Sequence, residues 1–237
     1  QSLRVTLPPS FATRWLLPRL HGFTATHPNV DLAISTRLAT IDAGDPSTLE
    51  SDLMPLREDR DDVEIRFGTG QYPGLRADLI FAVDYVAACS PRFLIGTRPL
   101  RHPRDLRDHV LVHDDTIPQR SERPSWPEWL RNAGVTEVDG ERGPRFANSG
   151  LALEAAKDGL GVALAPRPLI ARDVAEGRLA IPFDVAMPSR YAYYVVTPQA
   201  SADRREVRLF REWVLAEGAA ATRRSTPAAP SPADYPE

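Results

Sequence analysis

A single cysteine, Cys89, stands among 237 residues, which excludes an intrachain disulfide and any cysteine-rich metal centre. Long apolar runs are missing too, and no stretch approaches the ~20 residues a membrane span requires. The chain has no basic-then-apolar leader and opens directly on "SLRVTLPPS", so it is expected to be a domain from a longer protein. A basic excess is also lacking: 29 Lys and Arg face 32 Asp and Glu, a formal charge of -3. That balance argues against a nucleic-acid-binding module. Hydrolase and nucleotide-binding signatures are absent. His21, His27, His102, His109 and His113 are scattered, with no H-E-x-x-H, no G-x-S-x-G and no phosphate loop. "GTGQYPG" lacks the dinucleotide spacing, and the "HDD" at His113–Asp115 reads as a surface turn rather than a metal corner. Cys89 lies in an apolar strand and reads as a small buried hydrophobe. No cofactor and no metal are expected, and the chain is not expected to be an enzyme.

What remains is enough for a core. Hydrophobic residues make up 42% of the chain, and its length suits one large domain or two lobes of about 100 residues each. Leu3–Leu7 alternates as a strand stopped by Pro8-Pro9. After Ser10, the spacing of Phe11, Trp15, Leu16, Leu20 and Phe23 predicts an amphipathic helix, early in which Pro18 must be tolerated or make a kink. A strand follows from about Val30 to Thr36. Asp42–Asp62 reads as a loop with at most one weak helix, and Val63–Phe67 as a short strand. From Leu79, "LIFAVDYVAACS" reads as one strand. A helical turn at Pro91, a short helix into "VLVHD", and a helix carrying Trp126 and Trp129 come next. In "GPRFANSGLALEAAKDGLGVALAP", Ser149 is the expected N-cap of a helix that ends at glycines before the strand Val162–Leu164. The strand "YAYYVVT" and a helix with Val207, Phe210 and Val214 complete the pattern. Strands alternating with helices indicate an α/β fold with mainly parallel sheets. From Gly218 onward, the proline-rich run without apolar periodicity is expected to be a disordered tail.

Six stretches in order carry a resemblance: "PPSFATRWLLPRLHGFTATHPNVDLAIS", "DVEIRFGTGQYPGL", "VAACSPRFL", "LRDHVLVHD", "WPEWLRNAGV" and "GPRFANSGLALEAAKDGLGVALAPRPLI". Together they resemble the effector-binding part of LysR-type transcriptional regulators, in the branch of the glycine-cleavage activator and the beta-lactamase regulator. The resemblance covers Leu3 to roughly Ala216. It implies a periplasmic-binding-protein-like type 2 fold: two Rossmann-like α/β lobes with a small effector in the cleft between them. The expected lobes are 1–83 plus 188–217 and 84–187, with 218–237 as the tail. A winged helix-turn-helix that would bind promoter DNA is expected to lie outside this chain.

The resemblance also nominates residues. The branch of the beta-lactamase regulator has a threonine at the position of Ser10 and a serine at that of Ser149, but an acidic residue where this chain has Ala147. The branch of the glycine-cleavage activator has a histidine at Asn148. Ser10, Phe11, Arg66, Asn148, Ser149 and Tyr191 are the candidate effector-binding residues. For the two serines, plain helix capping stands as the alternative. For Arg66, placed by alternation opposite Val63, Ile65 and Phe67, the alternative is an exposed arginine paired with Glu64 or Asp78. Of Tyr191, Tyr193 and Tyr194, one could roof the cleft. The ligand expected is a small polar or anionic metabolite. In the resembled family two such domains pair antiparallel, first helix against the helix after Ser149. That implies an interface at Leu16, Leu20, Phe23, Leu151 and Ala155, a homodimer, and a tetramer as an option for the full-length protein. Cytoplasmic location and no membrane contact complete this reading. A secreted solute-binding protein of the same fold is the alternative.

Overall fold

The computed structural model describes residues 2–58 and 60–225. Two five-stranded sheets organise the chain into two α/β lobes. The first sheet has the order β2-β1-β3-β10-β4, with β1 (Ser2–Leu7), β2 (Asp31–Thr36), β3 (Val63–Gly68), β4 (Leu75–Phe81) and β10 (Ala192–Pro198). The second has the order β7-β6-β8-β5-β9, with β5 (Asp84–Ala88), β6 (Leu111–Asp114), β7 (Arg145–Phe146), β8 (Val162–Pro166) and β9 (Ala186–Pro188). Both sheets are mixed, which corrects the mainly parallel expectation. β1 pairs parallel with β2 and β3, whereas β10 runs antiparallel between β3 and β4. In the second sheet, β6 is parallel to β7 and β8, and β5 is antiparallel to β8 and β9. The chain changes sheets twice through very short links, between Phe81 and Asp84 and between Pro188 and Ala192.

The first helical stretch has three parts: α1 (Pro9–Phe11), a π-turn at Ala12–Leu16 and α2 (Leu17–Thr26). Pro18 is the cause the sequence offers for this break. It has no N–H to give the preceding turn, and a widened turn accommodates it. The extra residue per turn also rotates the apolar face. Leu16 and Phe23 are buried, Leu20 packs against the core, and Leu17 is 51% exposed. The interface expected at Leu16 and Phe23 is therefore corrected, since both belong to the core of one lobe. α3 (Pro46–Asp52) and α4 (Met54–Arg57) fill the segment read mostly as loop. Asp45 caps α3 by accepting from the Ser47 amide at 2.9 Å.

In the second lobe, α5 (Trp126–Asn132), α6 (Ser149–Lys157) and α7 (Arg167–Ala175) flank the sheet. Trp126 anchors α5 by donating to the Val112 carbonyl at 3.0 Å. α8 (Arg205–Ser225) buries Val207, Phe210 and Val214 on the first sheet. It continues past Gly218, where the tail was expected to start. A Cβ at Gly218 would lie 2.6 Å from the Ile80 carbonyl oxygen, so this glycine marks a close helix–sheet contact rather than a helix end. The remainder of the expected tail, 226–237, lies outside the described residues.

Candidate functional site

Where the lobes meet, α1 of the first faces the start of α6 in the second. A small cavity there is walled by Ser10, Ile41, Phe67 and Tyr193 from one side and by Tyr85, Asp114, Thr116, Ile117, Pro124, Ser149 and Pro166 from the other. Its volume is about 10 Å³, space for one water at most. Ser10 and Ser149 are thus brought to the same cavity from opposite lobes.

Neither serine is a cap. Pro8 precedes the first turn of α1, and Ser10 sits inside that turn, buried. Asn148 is the N-cap of α6 and accepts from the Leu151 amide at 3.3 Å. The capping expected of Ser149 therefore falls one residue earlier. Freed from that task, the Ser149 hydroxyl donates to Asp114 Oδ2 at 2.5 Å and lies 3.0 Å from Thr116 Oγ1. Asn148 turns instead to a larger outer groove of about 540 Å³ between the first helical stretch and α6 and α7. Arg14 crosses beside this groove, donating to Asp173 at 2.6 Å and Glu154 at 2.7 Å.

Asp114 is the residue that sequence reasoning missed. It ends β6, in the "HDD" run read as a surface turn, and His113 beside it is buried on the strand. Its Oδ1 accepts from the Thr116 amide at 2.9 Å and the Thr116 hydroxyl at 2.5 Å. Burial pushes its carboxyl above the usual carboxylate range, against the pull of the Ser149 and Thr116 donors. The same burial, with the Asp114 charge nearby, raises the Tyr85 and Tyr193 phenols. Tyr193 rather than Tyr191 lines the cavity. Tyr191 packs edge-on to Phe67, and its buried hydroxyl has no hydrogen-bond partner.

Two other candidates are absorbed by the protein itself. Phe11 is fully buried in an aromatic cluster with Trp15, Phe81 and Tyr193. Arg66 is fully buried and grips Asp42 at 2.9 Å, Glu64 at 2.9 Å and the Ala39 carbonyl at 3.0 Å. Its guanidinium lies 5.2 Å from the centre of the Tyr72 ring. Pairing with Glu64 holds, while exposure and pairing with Asp78 do not. Arg66 does not line the cavity, so its expected grip on a ligand carboxylate is corrected. Gly68 completes this network: a Cβ there would lie 1.8 Å from Asp42 Oδ2. Cys89 is fully buried, and burial pushes its thiol up to about 12, so it is no nucleophile. Among the described residues no helix is long and apolar enough to cross a membrane.

Comparisons with known proteins bear on the family and the fold. The family described as LysR substrate binding domain matches residues 1–219. The glycine cleavage system transcriptional activator of Escherichia coli K12 is 35% identical over 219 residues, covering 92% of this chain and 66% of that protein. The HTH-type transcriptional activator AmpR of Pseudomonas aeruginosa is 32% identical over 208 residues, covering 87% of this chain and 62% of that protein. The chain thus spans slightly less than two thirds of the length of these relatives. The solved effector domain of AmpR from Pseudomonas aeruginosa superposes with a TM-score of 0.72 at 29% identity, covering 94% of this chain and 98% of that one.

Proposed function

Since this chain belongs to the LysR substrate binding domain family, we propose that it is the effector-sensing part of a LysR-type transcriptional regulator and holds a small polar metabolite between its lobes. The observation that carries this reading is the cavity with Ser10 on one wall and Ser149 and Asp114 on the other. A ligand touching both walls favours one lobe arrangement by its differential contacts, and that bias is what a sensor transmits. The lobes are assigned as 1–83 plus 188–217 and 84–187, a division that follows sheet membership except at Pro188, the last residue of β9. At about 10 Å³ the cavity admits a metabolite only as the lobes part, and the Arg14 pairs with Asp173 and Glu154 resist that parting.

The regulator reading gives the domain no catalytic step, places it in the cytoplasm and leaves promoter DNA to a segment outside this chain. Two domains pair as homodimers through α2 of one and α6 of the other. The exposed Leu17, 51% accessible, takes the place of Leu16 and Phe23 as an apolar contact, beside the expected Leu20, Leu151 (59% accessible) and Ala155. Sedimentation tests the pairing: the wild type should dimerise at micromolar concentration, and Leu17→Glu should remain monomeric. The sensing role is tested by DNA footprinting of the full-length protein with metabolite extracts. A protection pattern that changes with extract in the wild type and no longer changes in Ser149→Ala is the expected result. An identical response in both proteins contradicts the assignment.

A further inference from the structure

Four buried carboxylates away from the cavity each face an arginine. Asp42 and Glu64 hold Arg66, Asp62 takes Arg204 at 2.7 Å, and Asp173 takes Arg14 at 2.6 Å and Arg178 at 2.7 Å. Asp114, which is half-buried, differs from these four. Among the described residues it makes no ion pair, and all of its hydrogen bonds come from the neutral donors Ser149 and Thr116. The buried Glu206 also makes no ion pair among the described residues, but it lies away from the cavity. Two arginines that share a pocket lining with Asp114 are already engaged. Arg123, at 2.8 Å, and Arg145, at 3.3 Å, both bind the neighbouring Asp115. The other ionisable groups acting on or facing Asp114 are the Asp115 carboxylate, whose like charge raises it further, and the phenols of Tyr85 and Tyr193, whose anionic forms its charge disfavours. A carboxylate partly withdrawn from water without a cationic partner costs stability, though less than a fully buried one. This one sits on the wall of the cavity between the lobes.

We propose that Asp114 is the charge-reading residue of the interlobe site and that the ligand is a small molecule presenting a protonated amine to it, an α-amino acid or a simple alkylamine, rather than a purely anionic metabolite. This rests on the sensing role proposed above. Ser149 and Thr116 hold the carboxylate from the side of its own lobe, so its remaining acceptor capacity is what a ligand ammonium can use. An anion placed in the same cavity would meet the Asp114 charge with no arginine to offset it. The expectation of an anionic ligand drew on Arg66 and on free amides at helix starts. Arg66 is committed to Asp42 and Glu64, and Asn148 has taken the Leu151 amide.

The test is a thermal-shift and calorimetric comparison of matched compounds at millimolar concentration. Glycine, alanine and ethylamine carry the amine, whereas acetate, propionate and succinate do not. The proteins are the wild type, Asp114→Asn and Ser10→Leu, each checked for folding by circular dichroism. Should Asp114→Asn fail to fold, Asp114→Ser asks the same question with a smaller side chain. The expected result is that at least one amine binds the wild type, no carboxylate without an amine does, and the asparagine variant weakens binding roughly 10- to 100-fold, the loss expected of a charge-assisted hydrogen bond. Ser10→Leu, on the opposite wall, should weaken the same amine. If carboxylates bind instead, lose affinity in Ser10→Leu and keep it in Asp114→Asn, the interlobe site stands and the amine proposal is overturned. Binding untouched by either substitution overturns the interlobe site itself. No response to any of the amines also overturns the proposal.

Discussion

Two regions of the molecule treat a carboxylate withdrawn from water in opposite ways. In the first, Asp42, Glu64, Arg66 and Arg37 form a closed network in which Tyr72 and the Thr69 amide also donate to Asp42. In the second, Asp114 is held only by hydroxyls and one amide and borders the cavity between the lobes. A closed network has nothing left to offer a ligand and acts as structure. An open carboxylate is a cost to the free protein that a suitable ligand can offset. The difference separates a buried charge that fixes the fold from one that is available for recognition.

Breaking the closed network should produce the largest effect. Arg66→Met leaves Asp42 and Glu64 without their shared cation and is expected to cost about 3–5 kcal/mol of stability in urea unfolding. A loss below about 1 kcal/mol would mean that the network is dispensable and the contrast with Asp114 unfounded. Ser149→Ala sharpens the other side. It takes one donor from Asp114 and should cost about 1–3 kcal/mol, leaving the N-cap of α6 intact. Asn148→Ala should do the reverse, losing about 1 kcal/mol of cap energy with little effect on ligand affinity. If the two changes had the same effect on binding, the division of labour between these neighbours would be wrong.

The pH response should be the smallest effect, and its sign differs between carboxylates. Burial raises the Asp62 carboxyl, but the Arg4 amide and side chain and Arg204 outweigh it and leave it lowered. Its contribution is therefore present above the ordinary carboxylate value and is lost as pH falls through the lowered one. Burial raises Glu64 despite Arg66 and Arg37. Its contribution is fully present below the ordinary value and is lost as pH rises through the raised one. Asp62→Asn should therefore flatten the acid limb of a melting-temperature profile, while Glu64→Gln should leave that limb in place.

Much of this architecture was legible in the chain. The strands at Leu3–Leu7 and Val63–Phe67, the helix from Ser149 and the Trp126 helix all appear in the fold, although Val63–Phe67 is buried on both faces rather than alternating. What stayed hidden depends on partners far away. "LIFAVDYVAACS" has continuous β character, so nothing local reveals that β4 ends at Phe81 and β5 opens the other sheet at Asp84. The π-turn adds a residue to the helical period and moves Leu17 outward, where Leu16 was expected. Arg66 looked available because Asp42 lies 24 residues away, and Asp114 looked like a turn because Ser149 lies 35 away. Ser10 and Ser149 do come to one cavity as the resemblance implied, but as wall residues rather than caps.

The contrast between the two regions can be measured directly, without a ligand, by urea unfolding at neutral pH of Asp42→Asn beside Asp114→Asn. Asp42→Asn is expected to lower the unfolding free energy by about 2–4 kcal/mol, since it strips Arg66 of a buried partner. Asp114→Asn, which relieves a half-buried carboxylate without a cationic partner, is expected to raise it. If both substitutions destabilise the domain to a similar degree, Asp114 is a structural carboxylate like Asp42, and the reading of it as the open side of a binding site is contradicted.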